Sequence, residues 1–474
     1  MTNFLVIMSD EHQARAMGCA EHPFVQTPNL DALAARGTRF SNAYTPCPIC
    51  VPARASFATG QPVHVTRLWD NAMPYTGQIK GWGHALQRGG IPVESIGKLH
   101  YRAPEDPAGF DTEHLPMMVA DGVGMVWASI RREDERVSAK PRMLGEYIGP
   151  GQSKYTEYDA AVTKRSEEWL LNRAEEDDDQ PWCLYVGLVA PHFPLVCPQE
   201  FFEMYPSDIL PPAKLHPNQG HVRHPWVEKQ NAMMDSENRF DSEEERLAAM
   251  SAYFGLTSWL DSNVGRILNV LQASGMADDT VVVYTSDHGD NVGARGLWGK
   301  SNLYEESVAI PMIMAGPNVP IGICETPVSL LDLSATIPAH FCLDFACAGQ
   351  SLFEIAAAPP HLHRAILSQY HAAGAVSGAF MLRQGGWKLN QYIGFEPELF
   401  DLLEDPEELT NLAPDPRYKD KLLRMQEAMS HHVDIEAVDA LAFNDQADLI
   451  AQYGGREAAL KLGAPGATPP PRVT

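Results

Sequence analysis

Long apolar runs, cysteines and basic residues are all scarce in this sequence of 474 residues. No apolar run approaches the roughly 20 residues that a membrane-spanning helix needs. The apolar start, Phe4 to Met8, lacks the basic beginning and the small-residue cleavage site of a signal peptide. The eight cysteines are spread along the chain and do not form the dense pattern of a disulfide framework. We therefore predict a cytoplasmic protein with no membrane contact.

Basic residues number 36 against 61 acidic residues, which gives a formal net charge of −25. This balance argues against a general nucleic-acid binder, because phosphate contacts need clustered lysine and arginine. An anionic small substrate remains compatible with it, since the local charge of a cleft can oppose the net charge. The length predicts one large α/β domain with a smaller companion, and the sequence shows no internal repeat.

Metal-ligating residue types follow two predicted buried strands at the point where each strand ends. The strand predicted at 4–8 runs into Asp10, and the β-branched strand at 280–285 runs into Asp287 and His288. Because open α/β sheets bind ligands at the carboxyl ends of their strands, Asp10 is a candidate site residue. The alternative is an N-cap aspartate for a following helix. An Asp-His pair closed by glycine is well suited to a metal ion.

The most distinctive stretch is C-V-P-A-R-A-S-F-A-T-G at residues 50–60, which begins at Cys50 and includes Arg54. Cys47 and Cys50 also form a C-x-x-C pair, which can be a redox pair or half of a zinc site. No second C-x-x-C follows, and the flanking pattern is unlike that of thioredoxins. A different role for Cys50 is therefore favoured.

Two further motifs place basic side chains after predicted strands. The sequence G-K-L-H occupies residues 97–100, and P-H-F-P occupies residues 191–194 after a strand at 182–189. Because they are two residues apart in an extended chain, Lys98 and His100 are predicted to project to the same side and to reach one oxyanion.

In this order the motifs resemble those of the type I sulfatases, the formylglycine-dependent members of the alkaline phosphatase superfamily. The resemblance extends over nearly the whole chain and is least anchored at residues 104–155 and in the C-terminal tail. Within the superfamily, the sequence is most similar to the choline sulfatase and phosphonate monoester hydrolase branch. Three stretches carry that similarity: D-N-A at 70–72, G-K-L-H-Y at 97–101 and residues 370–383.

The resemblance implies an α/β fold with an alkaline-phosphatase-like large sheet, mixed but mostly parallel and flanked by helices, and a small C-terminal α+β domain. The implied division is a catalytic α/β domain at residues 1–364, a small antiparallel sheet plus helix at residues 365–435, and a tail at residues 436–474. The tail is either frayed or an oligomerisation arm. A homo-oligomer, dimer or tetramer, is expected.

The resemblance also implies a chemistry. In that family a formylglycine-generating maturation enzyme oxidises the cysteine to an aldehyde, and a hydroxyl of the aldehyde hydrate attacks sulfur. The family favours Ca²⁺ as the divalent cation, while oxygen-rich ligation with one imidazole also allows Mn²⁺ or Mg²⁺. The implied residues are Asp10, Cys50, Asp287 and His288 for the metal, Cys50, Arg54, Lys98, His100, His192 and Lys300 for catalysis, and Asn71 for substrate binding.

Two positions depart from the common family pattern. Many sulfatases carry paired aspartates after the first strand, whereas this chain has Ser9-Asp10. The loss of one carboxylate reduces the negative charge that surrounds the metal. Ala53 stands where the maturation motif often has serine. The sequence does not decide whether His100 or His192 protonates the leaving oxygen.

We predict a sulfuric ester hydrolase that cleaves a small organic sulfate monoester, which is an anionic substrate, to alcohol and sulfate. The alternative is a phosphonate monoester or phosphodiester hydrolase with the same site, because sulfate and phosphonate monoesters both present a singly charged tetrahedral centre. A third hypothesis is a metal-binding or anion-binding protein without activity. A quaternary ammonium group on the alcohol would need an aromatic wall, for which Trp69 and Trp127 are candidates.

Overall fold

The computed structural model describes residues 2–131, 142–176, 180–464 and 466–472. Its strands are β1 Asn3–Asp10, β2 Gly37–Phe40, β3 Ala43–Tyr44, β4 Val93–Lys98, β5 Thr112–Met117, β6 Gly149–Pro150, β7 Cys183–Pro191, β8 Val196–Cys197, β9 Thr280–Ser286, β10 Met312–Ala315, β11 Gly322–Cys324, β12 Val328–Ser329, β13 Ile366–Tyr370, β14 Ala379–Gln384, β15 Trp387–Tyr392 and β16 Glu398–Asp401. Its α-helices are α1 Pro28–Ala35, α2 Cys50–Thr59, α3 Val63–Thr66, α4 Trp82–Arg88, α5 Lys154–Glu175, α6 Gln199–Phe202, α7 Pro225–Asn231, α8 Glu243–Ala273, α9 Glu305–Val308, α10 Leu330–His340, α11 Leu352–Ala357, α12 Lys419–Ser430, α13 Ile435–Gln452 and α14 Arg456–Ala459.

One eight-stranded sheet organises the N-terminal part of the molecule. The strand order is β11-β2-β10-β9-β1-β7-β4-β5. Strand β10 runs antiparallel to both of its neighbours, and the other adjacent strands are parallel. The predicted mixed, mostly parallel sheet is therefore confirmed. Because β9, β1, β7 and β4 are parallel neighbours, their carboxyl ends meet at one edge of the sheet.

Side chains of β1 alternate between the two faces of this sheet, as they do along any strand. Phe4, Val6 and Met8 lie in the core shared with α2, α4 and α10. Leu5 and Ile7 lie in the opposite core, which α5 and α8 cover. Burial on both faces explains why this strand is a continuous apolar run rather than an alternating one.

A second sheet follows toward the C-terminus. Strands β13, β14, β15 and β16 form an antiparallel meander, and α12 packs on β14 and β15. This confirms the small C-terminal antiparallel sheet, whereas the exact domain boundaries stay predictions. The tail expected from residue 436 begins instead inside helix α13, which buries Val438, Ala442 and Gln446 along one face. A spacing of four residues places these side chains on one face of the helix, so this stretch is an ordered, packed helix and is not frayed.

The family resemblance is least anchored at residues 104–155. The structure places β5 and β6 within that range, and residues 132–141 lie outside the described part of the chain. Residues 473–474 at the end of the predicted tail also lie outside it. Among the described residues, no helix is both long enough and apolar enough to cross a membrane.

Candidate active site

Four neighbouring strands deliver polar side chains to one edge of the large sheet. Strand β1 ends at Asp10 and β4 ends at Lys98, while His192 follows β7 and Asp287 follows β9. Parallel pairing of these strands makes the convergence unavoidable. The structure brings together every residue predicted for the site: Asp10, Cys50, Arg54, Asn71, Lys98, His100, His192, Asp287, His288 and Lys300. Their individual roles stay predictions.

Cys50 is the first residue of α2, and all ten residues of that helix are buried. Its Sγ lies 3.2 Å from Nε2 of His288 and 3.5 Å from Oδ1 of Asp10. The start of a helix favours negative charge, because its first N–H groups have no partners within the helix. One of these groups, the amide of Val51, donates to Oδ1 of Asn71 at 3.3 Å. Asn71 is thereby fixed beside Cys50.

The unmodified thiol of Cys50 is a weak nucleophile in these surroundings. Burial raises its pKa to about 11, and the negative charge of Asp10 acts in the same direction, against the opposing effect of Lys300 and Lys98. The thiol is therefore neutral at neutral pH, and the thiolate is the reactive form of cysteine. All eight cysteines are free, so Cys47 and Cys50 do not form a disulfide.

Asp10 and Asp287 each use one carboxylate oxygen, Oδ2, for ion pairs with basic side chains. Oδ2 of Asp10 lies 2.7 Å from Nζ of Lys98 and 3.1 Å from a terminal nitrogen of Arg54. Oδ2 of Asp287 accepts from Nε of Arg54 at 2.8 Å. The other oxygens, Oδ1 of both aspartates, lie 3.7 and 3.6 Å from Nε2 of His288. Burial would raise the pKa of Asp10, but the surrounding positive charges, Lys98 foremost, hold it well below its ordinary value.

Four side chains at this point could hold a metal ion, with one ligand atom each from Asp10, Cys50, Asp287 and His288 lying within 4.8 Å of one another. Nδ1 of His288 donates a hydrogen bond to the carbonyl oxygen of Gly289 at 3.1 Å, which leaves the lone pair on Nε2. Two carboxylates and one imidazole suit a hard divalent cation. The donor set therefore fits the predicted metal, with an oxygen in place of sulfur once Cys50 is oxidised.

Glu11 is a second carboxylate in the site, and the sequence reasoning missed it. Its φ of +70° breaks the strand alternation, so Asp10 and Glu11 reach the same pocket. Oε2 of Glu11 lies 3.0 Å from Nζ of Lys300 and 3.3 Å from Nε2 of His192. Burial raises the pKa of Glu11 well above its ordinary value, against the charge of Lys300. Glu11 is thus a second acid at this strand end, and it pairs with Lys300 and His192 rather than joining Asp10, Cys50, Asp287 and His288. Its adjacency to Asp10 was the only sequence signal.

One ring nitrogen of His192 faces the carboxylates of Asp10 and Glu11. Its Nδ1 donates to the carbonyl of Phe193 at 2.5 Å, which leaves Nε2 facing Glu11. Burial lowers the pKa of His192 well below its ordinary value, and the positive charge of Lys300 adds to this effect. His192 is therefore neutral in the free site.

His100 reaches the same cavity by a different backbone geometry from the one predicted. Strand β4 ends at Lys98, and His100 has a φ of +59°, in the left-handed region. The argument from two positions in an extended chain is therefore wrong, although both side chains lie near the site. Nε2 of His100 lies 2.9 Å from Oγ1 of Thr468, and Nδ1 has no hydrogen-bond partner among the described residues. Burial, followed by the charge of Lys98, lowers the pKa of His100 well below its ordinary value.

The aromatic side chains of the cavity are not the expected ones. Trp298 and Phe193 line it, whereas Trp69 and Trp127 do not. Nε1 of Trp69 donates to Asp445 at 2.7 Å, so this residue joins the core beneath helix α13. Sequence alone could not separate these tryptophans, because their distance from the site depends on long-range packing.

Asp159, on helix α5, anchors the strand end that carries His192. Its two carboxylate oxygens accept from the amides of Val189 and Ala190 at 2.8 and 2.7 Å. Burial raises its pKa from 3.8 to about 7, against the opposing effect of these two hydrogen bonds. Asp159 therefore fixes the end of β7 just before His192, and we expect it to position that histidine.

Replacing Asp159 with asparagine is expected to flatten the pH dependence of stability. Between about pH 4 and pH 7 the folded chain keeps a proton on Asp159 that the unfolded chain has released, so this contribution to stability falls by about 1.4 kcal/mol per pH unit as pH rises. Urea unfolding of both proteins across this range measures the difference in slope. Equal slopes would contradict the assignment.

The same variant should lower kcat by about 10-fold or more, because His192 is displaced. Asn in place of Asp261, a buried aspartate that also accepts backbone amides, is the matched control. It should lower stability without this loss of kcat. A similar kcat for the two variants would show that Asp159 has only a structural role.

The chain is similar to known proteins over nearly its whole length. Residues 2–341 match the family described as Sulfatase, and residues 293–434 match the family described as N-sulphoglucosamine sulphohydrolase, C-terminal. The chain is 34% identical over 471 residues to a choline-sulfatase of Rhizobium meliloti (strain 1021), covering 94% of this chain and 89% of the relative. It is 28% identical to arylsulfatase K of Danio rerio, covering 89% and 83%. The crystal structure of a phosphonate monoester hydrolase of Agrobacterium radiobacter has a TM-score of 0.73 at 22% identity, covering 93% and 96%, and is similar in fold.

Proposed function

This chain belongs to the sulfatase family, and we propose that its substrate is a small organic sulfate monoester and that residue 50 acts as formylglycine. As a sulfatase it is a sulfuric ester hydrolase. The observation that carries the proposal is the grouping of Cys50, at the start of α2, with Asp10, Asp287 and His288. Such a grouping can bind an anion, hold a cation and present a nucleophile at one point.

Oxidation of Cys50 would give this site a nucleophile that the thiol does not provide. A formylglycine hydrate supplies a hydroxyl for attack on sulfur and lets sulfate leave by carbon–oxygen cleavage. Cys50 is only 1% exposed in the folded chain. A maturation enzyme must therefore reach it before the chain completes its folding, and we propose such an enzyme as a partner.

Asp10, Asp287 and His288, together with residue 50, would hold a divalent cation, for which we propose Ca²⁺ on the family resemblance. When bound, the cation lowers the pKa of a neighbouring hydroxyl and neutralises charge on the sulfuryl oxygens. Arg54 keeps both aspartates in place, because its guanidinium spans them with Nε and a terminal nitrogen.

The remaining basic residues act on the substrate. Lys98 and Lys300 are buried cations beside Asp10, so they can neutralise the negative charge of a sulfate group. Burial would lower the pKa of Lys300, but the surrounding groups, Cys50, Glu11 and Asp10, raise it above its ordinary value. His100 and His192 are neutral imidazoles in the free site. His100 can donate an N–H bond to the oxygen of the departing alcohol, whereas His192, whose one N–H is on Nδ1 and faces Phe193, can do so only after it takes up a second proton.

The alcohol part of the substrate is small. The cavity at Cys50 has a volume of about 50 Å³, far below the roughly 300–1,000 Å³ of pockets for drug-sized ligands. Trp298 and Phe193 line it with aromatic surface, which suits a quaternary ammonium group. Together with the choline-sulfatase relative, these features favour choline sulfate or a similar alkyl sulfate.

The proposal is tested by kcat/KM for three compounds on one preparation: choline sulfate, 4-nitrophenyl sulfate and 4-nitrophenyl phenylphosphonate. The two aryl compounds share a leaving group, so their ratio reports the preference for sulfur over phosphorus. We expect the aryl sulfate to be favoured by about 10-fold or more, which corresponds to about 1.4 kcal/mol. A preference for the phosphonate would establish the alternative hydrolase.

We also propose a cytoplasmic location and a homo-oligomeric state, either dimer or tetramer. Cell fractionation tests the location, and sedimentation of the purified protein tests the oligomeric state. A monomer at all concentrations would remove the oligomer from the proposal.

A further inference from the structure

The C-terminal segment, defined here as Ala464 and residues 466–472, returns to the active site. Gly466, Ala467 and Thr468 line the same small cavity as Cys50 and His192. The segment comes from the opposite end of the sequence, and no motif marks it. These three residues are neutral and have small or no side chains, so they add a wall to the cavity without adding charge.

Specific contacts hold the beginning of this segment against the N-terminal part of the molecule. Nε1 of Trp127 donates to the carbonyl of Ala464 at 3.0 Å. The preceding Gly463 has a φ of +77°, and a Cβ there would lie 1.5 Å from the carbonyl oxygen of Gly124. Only glycine permits this approach. The path of the chain into the site is therefore built into the sequence.

Thr468 joins the segment to the histidine region of the site. Its Oγ1 lies 2.9 Å from Nε2 of His100, and its carbonyl accepts from the hydroxyl of Tyr155. The ring of Tyr155 in turn packs edge-on against the ring of His192, with centroids 5.8 Å apart. The segment thus touches His100 directly and lies one residue away from His192.

We propose that the C-terminal segment sets the upper size of the alcohol that the enzyme accepts. This rests on the proposed function. The cavity of about 50 Å³ is far smaller than the roughly 300–1,000 Å³ of pockets that take drug-sized ligands. A large alcohol therefore has to displace part of the wall. Gly466, Ala467 and Thr468 form one side of this wall, and the contacts of Thr468 with His100 and Tyr155 hold them there, so a larger alcohol displaces more of the segment and breaks these contacts.

The first test is a chain that ends at Ala464, which keeps the Trp127 contact and removes Gly466, Ala467 and Thr468 from the cavity wall. Its kcat/KM is compared with that of the full chain for methyl sulfate and for 4-methylumbelliferyl sulfate. We expect the ratio of the large to the small ester to rise by about 10-fold or more. An unchanged ratio would overturn the inference. Because both esters are measured on each protein, a general loss of activity cancels from the ratio.

The second test keeps the chain complete. Replacing Ala467 with phenylalanine adds bulk to the cavity wall, so the ratio of the large to the small ester should fall, in the direction opposite to the truncation. Replacing Arg472, an exposed residue of the same segment, with alanine is the matched control and should leave the ratio unchanged. An Ala467→Phe ratio equal to that of the control would also overturn the inference, even if the truncated chain fails to fold.

The outcomes separate this inference from the proposed function. A matured full-length enzyme that releases sulfate from none of the esters contradicts both. An enzyme that hydrolyses sulfate esters with the same size preference in every variant contradicts the inference alone.

Discussion

Replacing Cys50 with alanine is expected to lower kcat/KM for sulfate ester hydrolysis by a factor of about 10⁴ or more, the scale of removing a catalytic nucleophile. Alanine leaves the packing at the start of α2 almost unchanged, because it removes a single buried sulfur atom. The loss should therefore appear in kcat, with little change in the unfolding midpoint. A Cys50→Ala variant that still released sulfate would show that residue 50 is not the nucleophile.

The Cys50→Ser variant distinguishes a covalent mechanism from simple loss of a side chain. A serine hydroxyl can attack sulfur and release one equivalent of alcohol, but it cannot re-form an aldehyde and expel sulfate. We expect a burst of alcohol equal to the enzyme concentration, followed by negligible turnover, and one sulfuryl group on the peptide that contains residue 50. Mass spectrometry of that peptide also shows whether Cys50 in the parent enzyme has been oxidised. Steady turnover by an unmodified serine would contradict the proposed role.

Removal of the divalent cation is expected to abolish turnover while the protein remains folded. The two aspartates that would hold the ion, Asp10 and Asp287, are already neutralised by Arg54 and Lys98. The apo site therefore has no uncompensated cluster of negative charge to drive unfolding. Dialysis against a chelator, with activity and circular dichroism followed together, measures both effects. Restoration by Ca²⁺, Mn²⁺ or Mg²⁺ then identifies the ion.

An Asp287→Asn variant tests the dependence of activity on the metal through one proposed ligand. We expect metal content to fall and kcat/KM to drop by about 100-fold or more, since even outer contacts of a metal site cost 10–100-fold when lost. Asp332→Asn is the matched control, because Asp332 is equally buried and paired with Arg364 outside the site. The control should lose stability but keep its metal. Full metal content in Asp287→Asn would refute the ligand assignment.

Most of the large sheet was predictable from the sequence, because its strands are buried on both faces and read as continuous apolar runs. Residues 4–8 and 280–285 are examples, and both form central strands. The C-terminal tail was not predictable in the same way. Helix α13 has a weakly apolar face, and its burial depends on contacts with distant parts of the chain, such as Gln446 with Asp70.

The residues of the site also fall into a predictable group and a group that only the tertiary structure shows. Asp10, Lys98, His192 and Asp287 were found because each lies at or just after the end of a parallel strand, where position in the sequence fixes position in space. The side-chain directions of Glu11 and His100 depend on positive φ values, which the local sequence does not predict. Only the folded backbone shows that the Glu11 side chain enters the site and how His100 reaches it.

The sequence by itself determined the chemical groups, the strand ends that carry them and the sulfatase character of the chain. Only the tertiary structure decided how the site is closed. Thr468 contacts His100 across 368 residues of sequence, and Glu11 turns back into the pocket beside Lys300. The physical reason is that strand ends inherit their place from a regular sheet, whereas these contacts arise from packing between distant segments, which no local pattern encodes.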